Sequence, residues 1–205
     1  MLKELIEKYK SDKNASNYTD SYIHHFSDRR DSVSSLLEIG LGTIIPGAKS
    51  SMHDWKTTNS SEYTPGASLR AWRDYFPNAK VYGGDIQEDT QFTDERITTY
   101  LFNSQSGVEC NKVLKDLTFD IIIDDGSHGG EHQVFSFIVL NKFLSSNGIY
   151  VIEDIQPQNI EGFKDLSIFP SEYKDYILKN YNINIFDTRY QRGREDDFMI
   201  AFIKK

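Results

Sequence analysis

Two carboxylates, a glycine turn and an imidazole follow one another at Asp124-Asp125-Gly126-Ser127-His128, directly after the largely apolar run Phe119 to Ile123. The pattern returns one helix later, where Gly148-Ile149-Tyr150-Val151-Ile152 ends in Glu153-Asp154. Together Asp125, Glu153 and Asp154 offer hard oxygen donors suited to Mg²⁺ or another oxygen-loving divalent ion, and His128 offers an imidazole able to take a proton. Clustered like charges are costly unless a cation or protons neutralise them, so two such pairs side by side point to chemistry rather than to a solvated surface.

These residues need a frame that brings two segment ends to one place. A short apolar run bounded by turn residues reads as a buried strand of a parallel sheet, and ligands of open α/β sheets bind beyond the carboxyl ends of such strands. Strands are predicted over Ser35 to Gly40, Lys80 to Gly84 (closed by Asp85), Arg96 to Phe102, Phe119 to Asp124 and Gly148 to Glu153. Helices are predicted over Leu2 to Tyr9, Tyr18 to Phe26, Leu69 to Phe76, Gly107 to Leu117, Glu131 to Leu144 and Tyr173 to Asn180. Ile183 to Asp187 and Phe198 to Ile203 read as a terminal antiparallel pair joined by the charged loop Arg189 to Asp197. The alternation predicts an α/β, Rossmann-like doubly wound fold whose mostly parallel seven-stranded sheet carries an antiparallel C-terminal strand. Residues 1–205 are expected to form one domain, with 1–30 as a helical lid segment and 41–65 as an inserted loop over the active site. That loop carries His53, Trp55 and Tyr63 among small polar residues, and aromatic side chains of this kind stack on sugar or ring faces at low entropic cost.

Glu38-Ile39-Gly40-Leu41-Gly42, at the end of the first strand, lets the backbone approach a ligand closely. Asp85, at the end of the second, is placed to accept hydrogen bonds from two ribose hydroxyls, the mark of an adenosine ligand in doubly wound folds. A full G-x-G-x-x-G is missing, so a nucleoside without phosphates fits better than a dinucleotide. The blander account is a packing glycine and a capping aspartate. His132, one helical turn beyond His128, reads as a cap or a satisfied surface group, and His24 and His25 have no partner visible in the sequence.

Composition narrows the function classes. A hydrophobic share of 38% and an aromatic share of 13% exclude disorder, and a formal charge of −8 offers no basic face for a phosphate backbone, so no nucleic-acid partner is expected. The single cysteine, Cys110, cannot form an internal disulfide, and no apolar run approaches a membrane span. Met1 to Lys10 reads as an amphipathic charged helix rather than a signal peptide. A cytoplasmic protein without membrane partners is the expectation, with self-association left open.

Glu38-Ile39-Gly40, Gly66-Ala67-Ser68-Leu69-Arg70-Ala71-Trp72-Arg73-Asp74-Tyr75-Phe76-Pro77, Tyr82-Gly83-Gly84-Asp85-Ile86, Asp124-Asp125-Gly126-Ser127-His128 and Tyr150-Val151-Ile152-Glu153-Asp154-Ile155 together resemble the S-adenosylmethionine-dependent O-methyltransferases of antibiotic sugars, the macrocin and mycinamicin type. Ser11-Asp12-Lys13 and Tyr18 to Tyr22 resemble the segment before the first strand in that group. The resemblance implies a class I methyltransferase fold that uses S-adenosyl-L-methionine and a divalent metal, Mg²⁺ foremost, to methylate a hydroxyl of a sugar or glycosylated small molecule. It implies that Asp125, Glu153 and Asp154 hold the metal, that His128 is the general base and that Asp85 holds the cofactor ribose. Gly40, Gly66 and Ser68 would frame the methionine moiety, Ser104 and Gln105 would lie near the adenine, and Glu38 and Asp124 complete the cofactor set. This chain departs from the pattern in the long segment Leu41 to Pro65 and in Ser104-Gln105, where Asp-Gln is usual. Two other readings compete: a nicotinamide-dependent Rossmann-type oxidoreductase, and a non-catalytic module that binds an adenosine ligand or a partner.

Overall fold

The computed structural model describes residues 1–14, 17–48, 51–52 and 63–205. Eight strands form one sheet in the order β3-β4-β2-β1-β5-β6-β8-β7. They are β1 (Ser35–Ile39), β2 (Lys80–Asp85), β3 (Thr93–Asp94), β4 (Ile97–Leu101), β5 (Phe119–Asp124), β6 (Leu144–Ile152), β7 (Tyr181–Asp187) and β8 (Phe198–Lys204). The five strands β4, β2, β1, β5 and β6 run parallel, and β8 pairs antiparallel with both β6 and β7. Order reverses at β1, which has β2 on one side and β5 on the other, so the crevice beyond its carboxyl end is where such a fold takes a ligand.

Alternate residues of the central strands feed two cores. Leu36, Val81, Ile121, Ile123 and Val151 pack with α1 (Leu2–Lys8), α2 (Tyr18–Phe26) and α3 (Ala67–Tyr75) on one face. Leu37, Ile39, Ile122, Tyr150 and Ile152 pack on the other with α4 (Gly107–Leu114), α5 (Gly130–Leu140), α6 (Ile160–Lys164) and α7 (Ser171–Asn180). Burial on both faces explains why the strands read as continuous apolar runs.

The expected seven strands are eight. Thr93–Asp94 adds a two-residue antiparallel edge to β4, too short to leave a period in the sequence. The helix expected to run to Leu144 stops at Leu140, because the Asn141 amide donates to the carbonyl oxygens of Phe137 at 2.8 Å and Ile138 at 2.9 Å and so closes its C-terminus. Freed from the helix, Leu144 begins β6. The charged loop before β8 contains a short helix, α8 (Arg189–Arg192). No helix among the described residues is long and apolar enough to cross a membrane.

Candidate active site

Backbone bonds extend the sheet past its strand ends and set the rim in register. Gly40 N donates to Gly84 O at 3.0 Å, Asp125 N to Ile39 O at 2.9 Å and Glu153 N to Asp124 O at 3.0 Å. Gly40 has a φ of 86°, and a Cβ built there would meet the Asp125 carbonyl oxygen at 1.9 Å. Only glycine fits that crossing of β1 with the turn after β5.

On the β1–β2 side, Asp85 accepts backbone N–H bonds from Leu41 at 2.7 Å and Gln87 at 2.9 Å. Burial raises its pKa against the pull of those amides. Ile86 beside it is 66% exposed, an apolar side chain offered to solvent at the strand end. Gly66, with a φ of 74°, precedes α3 and donates to Leu41 O at 2.9 Å, while Ser68 in the first turn of α3 hydrogen-bonds Glu38. Trp72, one turn on, donates its indole N–H to Glu38 Oε2 at 2.8 Å. Tyr63 donates to Leu41 O at 2.9 Å, which folds the end of the long loop back onto its start. His53 and Trp55 lie outside the described residues. Past β4, the Ser104 hydroxyl pairs with Ser136 Oγ of α5 at 2.8 Å, and Gln105 N donates to Asn103 Oδ1 at 3.0 Å.

On the β5–β6 side the carboxylates are gathered by side chains. Lys13, on the short 3₁₀ turn Asp12–Asn14, is 2% exposed. Its Nζ lies 3.0 Å from Glu38 Oε1, 2.9 Å from Asp125 Oδ2 and 2.8 and 2.9 Å from the two oxygens of Glu153. Tyr22 of α2 also donates to Glu153, and Gln133 Nε2 of α5 donates to the Glu153 carbonyl at 2.8 Å. Tyr18, one turn before Tyr22, donates to Asp154 Oδ1 at 2.6 Å and accepts from Asp154 N at 3.2 Å. His128 Nε2 sits 3.2 Å from Asp125 Oδ1 and 3.7 Å from Asp154 Oδ2. Asp125, His128 and Asp154 thus bring one ligand atom each within 4.8 Å of one another. The Glu153 carboxylate faces Lys13 instead.

The electrostatics follow from this crowding. Burial pushes Asp124 up to about 7, opposed by the Gly126 N–H. Burial likewise lifts Asp154 to about 6 against the attraction of His128. Burial works against the imidazolium of His128, yet the hydrogen bond to Asp125 and the charge of Asp154 outweigh it and raise His128 to about 9. Burial also opposes the Asp125 carboxylate, but the Lys13 ammonium and the His128 bond hold it below the ordinary range. His128 and Asp154 both have left-handed backbone, with φ of 55° and 51°, strain of the kind that gathers at functional sites.

Lys13, Tyr18, Tyr22 and Gln133 have no predicted role at the site. A lysine in a polar stretch reads as solvated, and only the need of buried carboxylates for a cation points to it. Tyr18 and Tyr22, spaced to share a helix face, carry the one periodic signal. Among the other histidines, His132 Nδ1 pairs with Ser127 Oγ at 2.7 Å, while His24 and His25 pack edge-on against Phe186.

A parallel sheet reversing at β1, closed by an antiparallel strand and bearing an acidic residue at the second strand end, is the class I methyltransferase fold. The solved MycE methyltransferase from the mycinamycin biosynthetic pathway, in complex with Mg and SAH, superposes with a TM-score of 0.72 at 25% identity, over 99% of this chain and 54% of that one. The chain is a homologue of the macrocin- and mycinamicin-type sugar O-methyltransferases. Demethylmacrocin O-methyltransferase of Streptomyces fradiae is 33% identical over 166 residues, 79% of this chain and 38% of that protein. The 8-demethyl-8-alpha-L-rhamnosyl tetracenomycin-C 2'-O-methyltransferase of Streptomyces olivaceus is 33% identical over 144 residues, 68% of this chain and 33% of that protein. The chain thus spans little more than a third of the length of these curated relatives. No protein-family model matches it.

Proposed function

We propose that this chain carries the methyl-transfer centre of an S-adenosylmethionine-dependent, divalent-metal-dependent O-methyltransferase whose acceptor is a hydroxyl on a sugar-bearing small molecule. The observation that carries the reading is the division of oxygens at the rim. Tyr18 occupies Asp154 Oδ1 and Lys13 occupies Asp125 Oδ2, which leaves Asp154 Oδ2 and Asp125 Oδ1 facing His128. Two hard oxygens beside an imidazole fit a divalent ion, and the adjacent Glu153 is paired with Lys13. The donor side fits S-adenosylmethionine: Asp85 faces the ribose, with exposed Ile86 next to it in the chain, Gly40, Gly66 and Ser68 frame the methionine end, Glu38 and Asp124 line the floor, and Ser104 and Gln105 border the adenine.

When bound, the ion supplies positive charge that lowers the pKa of an acceptor hydroxyl, and S-adenosylmethionine supplies a methyl group on a sulfonium centre. His128 Nε2 accepts the hydroxyl proton. The carboxylates of Asp125 and Asp154, which raise His128 to about 9, are the ones offered to the ion, so the imidazole is a competent base once their charge is neutralised. Lys13, Tyr18 and Tyr22 cover the β5–β6 side of the rim, and Tyr63 borders its β1 side.

Transfer of labelled methyl from S-adenosylmethionine to rhamnosyl glycosides in MgCl₂ tests the reading. Excess chelator should reduce turnover to background and Mg²⁺ or Mn²⁺ should restore it. Full turnover in chelator would remove the metal. A melting temperature raised by NADH and not by S-adenosylhomocysteine would replace the methyltransferase with the oxidoreductase, and binding of S-adenosylhomocysteine without turnover on any glycoside would favour the non-catalytic module.

A further inference from the structure

We propose that Lys13 is a positioning residue of this centre: its buried ammonium draws Glu38, Asp125 and Glu153 to one point and so turns the second oxygen of Asp125 to the divalent ion. The inference rests on the metal-dependent reading above. An ammonium has three protons to donate, and here they go to Asp125 Oδ2 and the two oxygens of Glu153, while Glu38 Oε1, from the third adjacent strand end, is ion-paired to the same nitrogen at 3.0 Å. With every donor committed and the side chain 2% exposed, Lys13 has nothing left for a substrate. What it does is geometric. It takes Asp125 Oδ2 and thereby turns Oδ1 toward His128 Nε2, and it takes both oxygens of Glu153, which would otherwise be repelled by Asp125 and Asp154. Burying an ammonium is unfavourable without such partners, so the 3₁₀ turn stays docked only while the carboxylates stand where they are.

The neighbouring contacts share this logic. Lys13 comes from the turn between α1 and α2, and α2 itself delivers Tyr22 to Glu153 and Tyr18 to Asp154. One short stretch of chain thus orients Asp125, Glu153 and Asp154 at this end of the sheet, as outer partners commonly orient metal ligands. On the donor side the same ammonium reaches Glu38, whose other oxygen holds the Trp72 indole on α3.

The experiment is a calorimetric Mn²⁺ titration of the unmodified protein, Lys13→Gln and Lys13→Arg, with the melting shift caused by S-adenosylhomocysteine as the check of folding. Lys13→Gln should weaken Mn²⁺ binding by about tenfold or more, the usual effect of losing an outer partner of a ligand. Lys13→Arg, which keeps the charge, should recover most of it. S-adenosylhomocysteine affinity should change far less than Mn²⁺ affinity in both, a split that a general loss of stability would not produce. Mn²⁺ binding by Lys13→Gln as tight as in the unmodified protein overturns the proposal. Should Lys13→Gln fail to fold, amide exchange decides on the unmodified protein: Mn²⁺ should slow exchange over residues 9–14, and unchanged exchange there overturns the proposal. No Mn²⁺ binding by the unmodified protein removes the metal reading itself, and this inference with it.

Discussion

The two halves of the rim are built by different means. On the donor half, Asp85 is held by the amides of Leu41 and Gln87, and Gly66 by the carbonyl of Leu41, so backbone next to the strand ends does the work. On the half proposed for the metal, Asp125, Glu153 and Asp154 are held by side chains of Lys13, Tyr18 and Tyr22, which lie 112 to 140 residues away in the chain. A ligand pocket formed by strand ends and their turns assembles with the sheet. A cluster of buried carboxylates needs donors imported from elsewhere, since repulsion within it is unfavourable until something positive or proton-bearing arrives. The donor half should therefore be the more robust, and the metal half the one that fails when the N-terminal segment is disturbed.

The largest expected effect separates the roles within the metal half. His128→Ala should lower the turnover number by roughly two to four orders of magnitude, the usual contribution of a positioned base, while Mn²⁺ and S-adenosylhomocysteine still bind. A parallel loss of Mn²⁺ affinity would make the imidazole a ligand instead. Gly40→Ala should break the contrast between the halves, because its Cβ would strike the Asp125 carbonyl at 1.9 Å and its φ of 86° is strained for any other residue. Donor and ion affinities should fall together, with a loss of stability of roughly 1–3 kcal/mol or more from backbone strain alone. If only one ligand is affected, the halves are less closely joined than their backbone contact indicates.

Asp85→Ala sharpens the contrast from the donor side. It should weaken S-adenosylhomocysteine by about 1–3 kcal/mol and leave Mn²⁺ binding unaltered, since Asp85 is bonded to the Leu41 and Gln87 amides and to none of the residues of the β5–β6 side. An unchanged dissociation constant for S-adenosylhomocysteine would take Asp85 out of the donor pocket. The smallest effect is a pH dependence of stability in metal-free protein. His128 rises from 6.5 to about 9 in the fold, so the stability it contributes is fully present below pH 6.5 and is lost as pH climbs through about 9. Melting temperature should fall more steeply over that window in the unmodified protein than in His128→Gln. Parallel curves would place the raised titration elsewhere.

The same division explains what the sequence discloses. β5 and β6 are legible because burial on both faces leaves an unbroken apolar run, and a turn residue ends each at the rim. The strand-end placement of Asp85 and Gly40 is legible because it depends only on position along one strand. Lys13 is not, since nothing local distinguishes a lysine that will be buried from one that will be solvated. β3 escapes for want of length, and the early end of α5 escapes because Asn141 acts through a side-chain bond to carbonyls that periodicity does not register. Nor is the partner of Glu153 legible, since its carboxylate meets an ammonium that only the folded chain brings near.

The bond between the Trp72 indole and Glu38 gives the protein an optical gauge of its own centre. Trp72 is fully buried, and the carboxylate 2.8 Å from its ring nitrogen is the one that Lys13 shares with Asp125 and Glu153. Indole emission responds to nearby charge, so any event that moves the ammonium away from Glu38 changes the field on the ring. The sequence has two tryptophans, and with Trp55 replaced by phenylalanine the remaining emission would come from Trp72 alone. Docking of the N-terminal turn could then be followed by its colour, in real time and without a label.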